Sequence, residues 1–341
     1  MAREESRPED PDTEYVQMFN VFFARGRMTA TYKTVLLRSL LDLGRYRIHG
    51  SNRDLRGNEW IEVNGDTVVL DLNFIAARFI KYYWDMDHSF KLKQTTNPND
   101  ARIVQIVREH RQKGKRTKPP TLDELVSDSS KQIRQETIEL LKKQPLNYLK
   151  KTNMQNLYNL LPGSKIVLNV SIIPFLKQHR LIIRNGLNHK LAIKLESLNK
   201  SVPQIAAKID EENYPSRTLH AQAKQLIDNE QQQKCFYCDK PYMVAKKRHI
   251  DHVIPFNYIF STDTYNCVAA CIGCNLKKHD RLPDCEFFDA VINRNGDFKT
   301  QLSRLPNAVQ RSFADYDDIW YKKTYNACHA EYHGDAPLFK P

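Results

Sequence analysis

The sequence predicts an α+β fold: a mainly helical N-terminal region with one small β-hairpin, followed by a compact segment organised by metal ligands. Three observations carry this. Apolar residues recur at helical spacing through much of the first 200 residues, Asn64-Gly65 separates two strand-like runs, and two Cys-x-x-Cys pairs frame the chain from Cys235 to Cys274.

In chain order, residues 1–12 are acidic and proline-bearing and read as a disordered lead. A helix from Thr31 carries Val35, Leu36, Leu37, Leu40 and Leu41 and ends near Gly44, a residue suited to a C-terminal cap. Residues 60–63 and 67–70 flank Asn64-Gly65 as the two arms of a hairpin. A helix over 73–84 presents Phe74, Ile75, Phe79, Tyr82 and Tyr83, and Asp85-Met86-Asp87-His88 reads as the loop at its end. The densest basic run, Arg108, Arg111, Lys113, Lys115, Arg116 and Lys118, precedes Pro119-Pro120 and reads as a solvated linker rather than a DNA contact.

Helical spacing continues over 122–126, 133–141 and 146–161, broken at Pro145 and Pro162. Residues 165–170 and 181–183 are strand candidates for a small sheet, with a helix over 189–198 after them. A helix over 219–231 leads into Cys235, another lies around 287–292, and the aromatic tail 313–332, with Trp320, packs onto the preceding domain. The expected division is a lead (1–12), an N-terminal α+β domain (13–118), a helical middle region (119–230), a metal-ligand domain (231–285) and a helical tail (286–341).

Four thiolates in two Cys-x-x-Cys turns make a tetrahedral structural zinc site. The pairs are Cys235/Cys238 and Cys271/Cys274, with 32 residues between them. That gap exceeds a simple zinc-ribbon loop and leaves room for an insert. Disulfides suit small secreted chains, whereas the N-terminus here is charged and has no apolar core. A thioredoxin-like site uses one pair, not two. Cys267, Cys285 and Cys328 read as small buried hydrophobes or free thiols.

The insert contains Arg248-His249-Ile250-Asp251-His252-Val253-Ile254, a short strand stopped by Pro255. Alternation puts His249 and Asp251 on one face and His252 on the other. Histidine suits proton removal near neutral pH, and Asp or Asn oxygens suit magnesium. An Asp-His pair beside a zinc site is also a common structural hydrogen bond. Asn275, directly after the last ligand cysteine, tips the balance toward a site.

These residues resemble the HNH endonuclease family, whose ββα-metal fold pairs a hairpin with a helix around one divalent ion. Asp251-His252 with the Val253-Ile254-Pro255 tail stands at the family's first-histidine motif, Asn266 at its central asparagine, Asn275 in place of the second histidine, and Lys278 at the lysine three residues later. Asp280-Arg281-Leu282-Pro283 resembles the segment that follows in many bacterial members. The resemblance implies that His252 is the general base and that Asp251 and Asn275 ligate Mg²⁺ or Mn²⁺. It implies that Asn266 holds the loop between the strands through backbone groups, and that the products are a 5′-phosphate and a 3′-hydroxyl. Lys278 reads equally as a phosphate-backbone contact or a solvated helix lysine, His249 as an exposed strand histidine sooner than as a helper at the ion or phosphate, and His279 falls outside the register.

The chain has 52 Lys+Arg against 40 Asp+Glu, a net charge of +12, which favours a polyanionic partner, DNA first. Lys246-Lys247-Arg248, just before the catalytic strand, is the better-placed phosphate contact. No apolar run is long enough for a membrane span, no internal repeat is evident, and Gly163-Ser164-Lys165 lacks the spacing of a phosphate loop. The expected setting is a reducing bacterial cytoplasm, with defence against foreign DNA as the role and a regulatory partner or a homo-oligomer as the control. The competing expectation is a zinc-knuckle nucleic-acid-binding or scaffold protein with an idle nuclease centre, and RNA is the alternative substrate.

Overall fold

The computed structural model describes residues 11–26, 28, 30–115, 118–151, 154–242, 248–334 and 337–341. Residues 1–10 of the expected disordered lead (1–12), and Arg116, Lys246 and Lys247 of the basic groups, lie outside the described residues, while Pro11 and Asp12 belong to the first helix rather than to a lead. The chain divides into two compact units, 1–199 and 200–341. No helix among the described residues is long and apolar enough to cross a membrane.

The first unit contains α1 (Pro11–Arg25), α2 (Tyr32–Leu41), β1 (Ile61–Asn64), β2 (Thr67–Asp71), α3 (Leu72–Trp84), α4 (Arg102–Lys113), α5 (Leu122–Val126), α6 (Lys131–Lys143), α7 (Pro145–Lys150), β3 (Asn159–Leu161), β4 (Lys165–Asn169), α8 (Ile172–Gln178) and α9 (Arg180–Leu198). The hairpin is present as expected, with Gly65 at φ +56° in its turn. It is half of an antiparallel sheet ordered β1-β2-β4-β3, because β4 pairs along the free edge of β2. Val68, Leu70, Ile166 and Leu168 alternate inward. Asp71 caps α3 by accepting from Asn73 N, and Phe74, Ile75 and Phe79 of that helix are fully buried. Each contributes about 2–3 kcal/mol of burial.

Three expectations are corrected here. The helix over 146–161 stops at Lys150, and Asn159–Leu161 is edge strand β3, since pairing with β4 outweighs weak helical spacing. Gly163 and Ser164, both at positive φ, turn it into β4. Residues 181–183 are not strand but the first turn of α9, whose Ile183, Leu187, Leu191 and Leu195 are buried at four-residue spacing. The basic run is not a linker up to Lys113: Arg108 and Arg111 sit in α4 and converge on Asp87 at 2.7 and 3.5 Å. The boundary expected at 118/119 therefore runs through one shared core, as α3 packs against both α4 and α6.

The second unit contains α10 (Ile205–Lys208), α11 (Ala221–Glu230), β5 (Arg248–His252), α12 (Phe256–Ile259), β6 (Cys267–Cys271), α13 (Ile272–Lys278), α14 (Cys285–Thr300), α15 (Asn307–Ser312) and α16 (Asp318–Ala327). β5 and β6 form an antiparallel pair, His249 opposite Ala270 and Asp251 opposite Val268, with α13 packed on both strands. One apolar cluster runs from Ala223 and Ile227 of α11 through Val253, Val268 and Phe288 to Tyr316, Tyr321, Tyr325 and Tyr332 of the tail. The boundaries expected at 230/231 and 285/286 cut this cluster, because a hairpin and one short helix cannot bury their own apolar faces.

Candidate active site

The four-cysteine cluster is built by two tight turns. Asp239 N bonds Cys235 O at 2.9 Å and Asp239 adopts φ +54°, folding Cys238 back beside Cys235. Cys271 ends β6 and caps α13, its sulfur accepting from Cys274 N at 3.4 Å. All four sulfurs lie within 4.8 Å of one another, and Cys238 and Cys271 are 3.9 Å apart. A tetrahedron with Zn–S near 2.3 Å separates its sulfurs by ~3.8 Å, whereas a disulfide needs ~2.05 Å. Burial, then the neighbouring thiols, pushes the Cys274 thiol far above its ordinary value. Crowded thiolates are what a dication relieves, so the donor set fits structural zinc.

The second corner lies between β5 and α13. His249 and Asp251 share the strand face toward α13, and Asn275 Nδ2 donates to His249 Nδ1 at 2.9 Å. Asp251 is buried; its Oδ2 accepts from the Tyr237 hydroxyl at 2.6 Å and from Lys278 Nζ at 3.0 Å. Its Oδ1 has a 3.4 Å lysine contact. Asp251 and Asn275 carry oxygens and His249 an adjacent imidazole nitrogen, the donor types that Mg²⁺ or Mn²⁺ accepts. Lys278 matches neither expected reading. It is 0% exposed, donating also to the His252 carbonyl at 2.7 Å, because a one-turn reach from α13 ends inside the hairpin.

His252 points to the other strand face, edge-on to Phe256, with Nε2 at 3.2 Å from Thr262 Oγ1. The Thr262 hydroxyl donates to Ser216 O at 2.8 Å, so it accepts from Nε2–H and fixes Nδ1 as the basic nitrogen. Burial first, then the charges of Lys278 and Arg217, lowers the His252 pKa to about 4. The ring is thus neutral across the physiological range.

Asn266 is fully buried where the chain enters β6. Its Oδ1 accepts from Ile254 N at 2.8 Å and Tyr321 OH at 2.7 Å, and its Nδ2 donates to Ile254 O at 2.9 Å. It ties the segment after His252 to the far side of the hairpin. Buried Arg294 of α14 holds the same bend, donating to Cys267 O at 2.8 Å and to Thr264 O and Tyr265 O at 3.2 Å. His249 is half-buried rather than exposed, and His279 is exposed beside Asp280, away from the corner.

Tyr237, Thr262, Tyr321 and Arg294 were not singled out from sequence. Tyr237 carried a signal, a hydroxyl-bearing aromatic between two ligand cysteines, where the loop must turn it inward. The others act from 10 to 55 residues away and have no local mark.

No curated protein and no solved structure matches the chain. The sequence model of the HNH endonuclease family matches residues 235–281, a span that takes in both cysteine pairs, Asp251-His252, Asn266, Asn275 and Lys278. With a four-cysteine cluster and a strand pair covered by one helix over that span, residues 235–281 are an HNH endonuclease domain.

Proposed function

We propose that the protein is a metal-dependent nuclease that hydrolyses DNA phosphodiester bonds. The observation that carries the reading is the opposed placement of Asp251 with Asn275 on one face of β5 and a neutral His252 on the other. His252 Nδ1 takes the proton from the attacking water, with Thr262 holding the tautomer. Asp251 and Asn275 hold the divalent ion, and Tyr237 and Lys278 orient the Asp251 carboxylate. When bound, that ion stabilises the charge growing on the departing 3′ oxygen. Lys278 acts from inside the domain, so phosphate contact falls to surface cations such as Lys277 and Arg217. The four cysteines hold zinc for structure alone.

The test is incubation of the protein with plasmid, linear and single-stranded DNA and with RNA, in magnesium or EDTA, alongside His252→Ala. Magnesium-dependent nicking by wild type and none by His252→Ala is expected. Tight binding of every nucleic acid with no cut in any would establish the zinc-knuckle binding module instead. Selective cutting of RNA would reassign the substrate. A defence role against foreign DNA rests on the likeness of Thr31-Tyr32-Lys33, the leucine-rich helix, the hairpin and the helix over 73–84 to the leading region of some bacterial HNH proteins, and control by a partner follows from the toxicity of an unrestrained nuclease. Constitutive cutting of host DNA by the purified chain would sink that control.

A further inference from the structure

The positive charge of this protein is not where its chemistry is. Residues 200–341 hold 19 Lys+Arg and 18 Asp+Glu, so about all of the +12 excess, +11, belongs to residues 1–199. A near-neutral catalytic unit gains little from the counterion release that drives most nucleic-acid affinity. The excess cations that could recruit a polyanionic substrate therefore lie mainly in the first unit.

One cavity there, ≈ 420 Å³, is lined by Arg45, Arg47, Lys177 and Arg180, with Asp54 its single acid. Local sequence builds it. Gly44 sits in the 3₁₀ turn Asp42–Arg45 after α2, and a Cβ on it would meet Leu176 C at 2.7 Å and Lys177 N at 2.8 Å. Only a glycine lets that turn press against α8, which brings Arg45 and Arg47 alongside Lys177. The following loop is pinned by Asn52, whose side chain bonds Arg47 N at 2.8 Å and Arg47 O at 3.0 Å. Asp42 beneath is shared by Arg78 at 2.9 Å, Arg180 at 3.4 Å and Arg45 at 3.6 Å, so one carboxylate faces three guanidinium groups. The exposed side chains of Arg47 and Lys177 have no partner among the described residues.

We propose that this cleft is a docking site for the phosphodiester backbone of nucleic acid, supplying affinity for the substrate that the HNH domain cuts. The inference rests on the nuclease reading for its purpose, but not for its measurement. Backbone phosphates fit the chemistry: four cations gathered around a loop pinned by Asn52, and a surplus of charge that Asp42 and Asp54 together do not neutralise.

The experiment measures anisotropy of a labelled 30-base-pair duplex with full-length protein in EDTA, over a range of NaCl, so that no cutting intervenes. Arg47→Gln/Lys177→Gln is compared with Lys131→Gln/Lys143→Gln on α6, which removes the same charge elsewhere in the unit. The cleft pair should weaken binding by roughly tenfold, equally for unrelated sequences, and reduce the salt slope by about 2. The control pair should change affinity less than threefold. Equal loss in both pairs, or none in either, overturns the proposal. Displacement of the duplex by millimolar inorganic phosphate or ATP at unchanged ionic strength would overturn it in favour of a small phosphate ligand. Cleft-dependent binding without cleavage would leave the docking site standing and remove the nuclease reading.

Discussion

At the scale of single residues, two side chains decide whether the corner can work. His252 has its pKa lowered to about 4, by burial first and then by nearby positive charge. A general base must be unprotonated, so kcat/KM is expected to stay level as pH falls from 8 to 5 and to decline only toward 4. A pH profile with an acid inflection near 6.5 would mean that this ring is not the base, or not so placed. Tyr237 is the second. Its hydroxyl at 2.6 Å from Asp251 Oδ2 joins the cysteine cluster to the carboxylate proposed to hold the catalytic ion. Tyr237→Phe keeps the ring packed against Phe287 and Phe339 but frees Asp251 to turn. Zinc content should remain full while the Mn²⁺ dissociation constant, read by titration calorimetry, rises about tenfold. Unchanged Mn²⁺ affinity, with Asp251→Ala abolishing binding, would reduce Tyr237 to packing. The cysteine cluster was legible in sequence because four thiols in two Cys-x-x-Cys turns have a recognisable spacing. Tyr237 and Thr262 were not, since a hydroxyl has no meaning until the fold supplies its partner.

At the scale of elements, the hairpin is shaped by bonds that cross it rather than by its own strands. Five-residue β5 and β6 are too short to be stable as an isolated pair. Asn266 closes the bend behind His252 with three bonds, and Asn266→Ala would leave Ile254 N, Ile254 O and Tyr321 OH without partners in a dry interior. A loss of roughly 3 kcal/mol is expected in urea unfolding, together with loss of cutting. A change under 1 kcal/mol would show that water replaces the amide. Lys208 of α10 supplies a pH-dependent element contact. It is buried, donates to Pro203 O and Tyr258 O, and burial lowers its pKa to about 7. Between pH 7 and 10.5 the unfolded chain holds a proton that the folded one has released, so this group adds stability as pH rises through that window. Subtracting the melting profile of Lys208→Met from that of wild type should expose that rise, and a flat difference would sink it. Helices with strong apolar spacing and the Asn-Gly hairpin were readable from sequence. β3 and the first turn of α9 were misread because strand pairing with β4 and packing against α2, not their own apolar spacing, decide their state.

At the scale of the whole molecule, the excess positive charge and the HNH domain fall in different parts of the sequence. Residues 1–199 hold +11 of the net charge, and the hairpin with the four-cysteine cluster lies in residues 200–341. Composition announced a polyanionic partner, but the total of +12 hid this partition, because an average over the chain says nothing of where the charge falls. The partition has a kinetic consequence. Salt screens the contacts that gather the substrate, while Asp251, Asn266 and Lys278 are at most 7% exposed and are screened much less. Raising NaCl from 50 to 200 mM should therefore raise KM by roughly 10²-fold or more, with kcat changing less than twofold. Steady-state cleavage of a short duplex at fixed free magnesium separates the two parameters, provided KM reports dissociation. If kcat falls along with kcat/KM, the surface cations must act in the transition state itself, and the division between a gathering unit and a cutting unit fails. If KM stays constant over that range, the substrate is held by uncharged contacts, and the excess charge of the first unit serves something other than DNA.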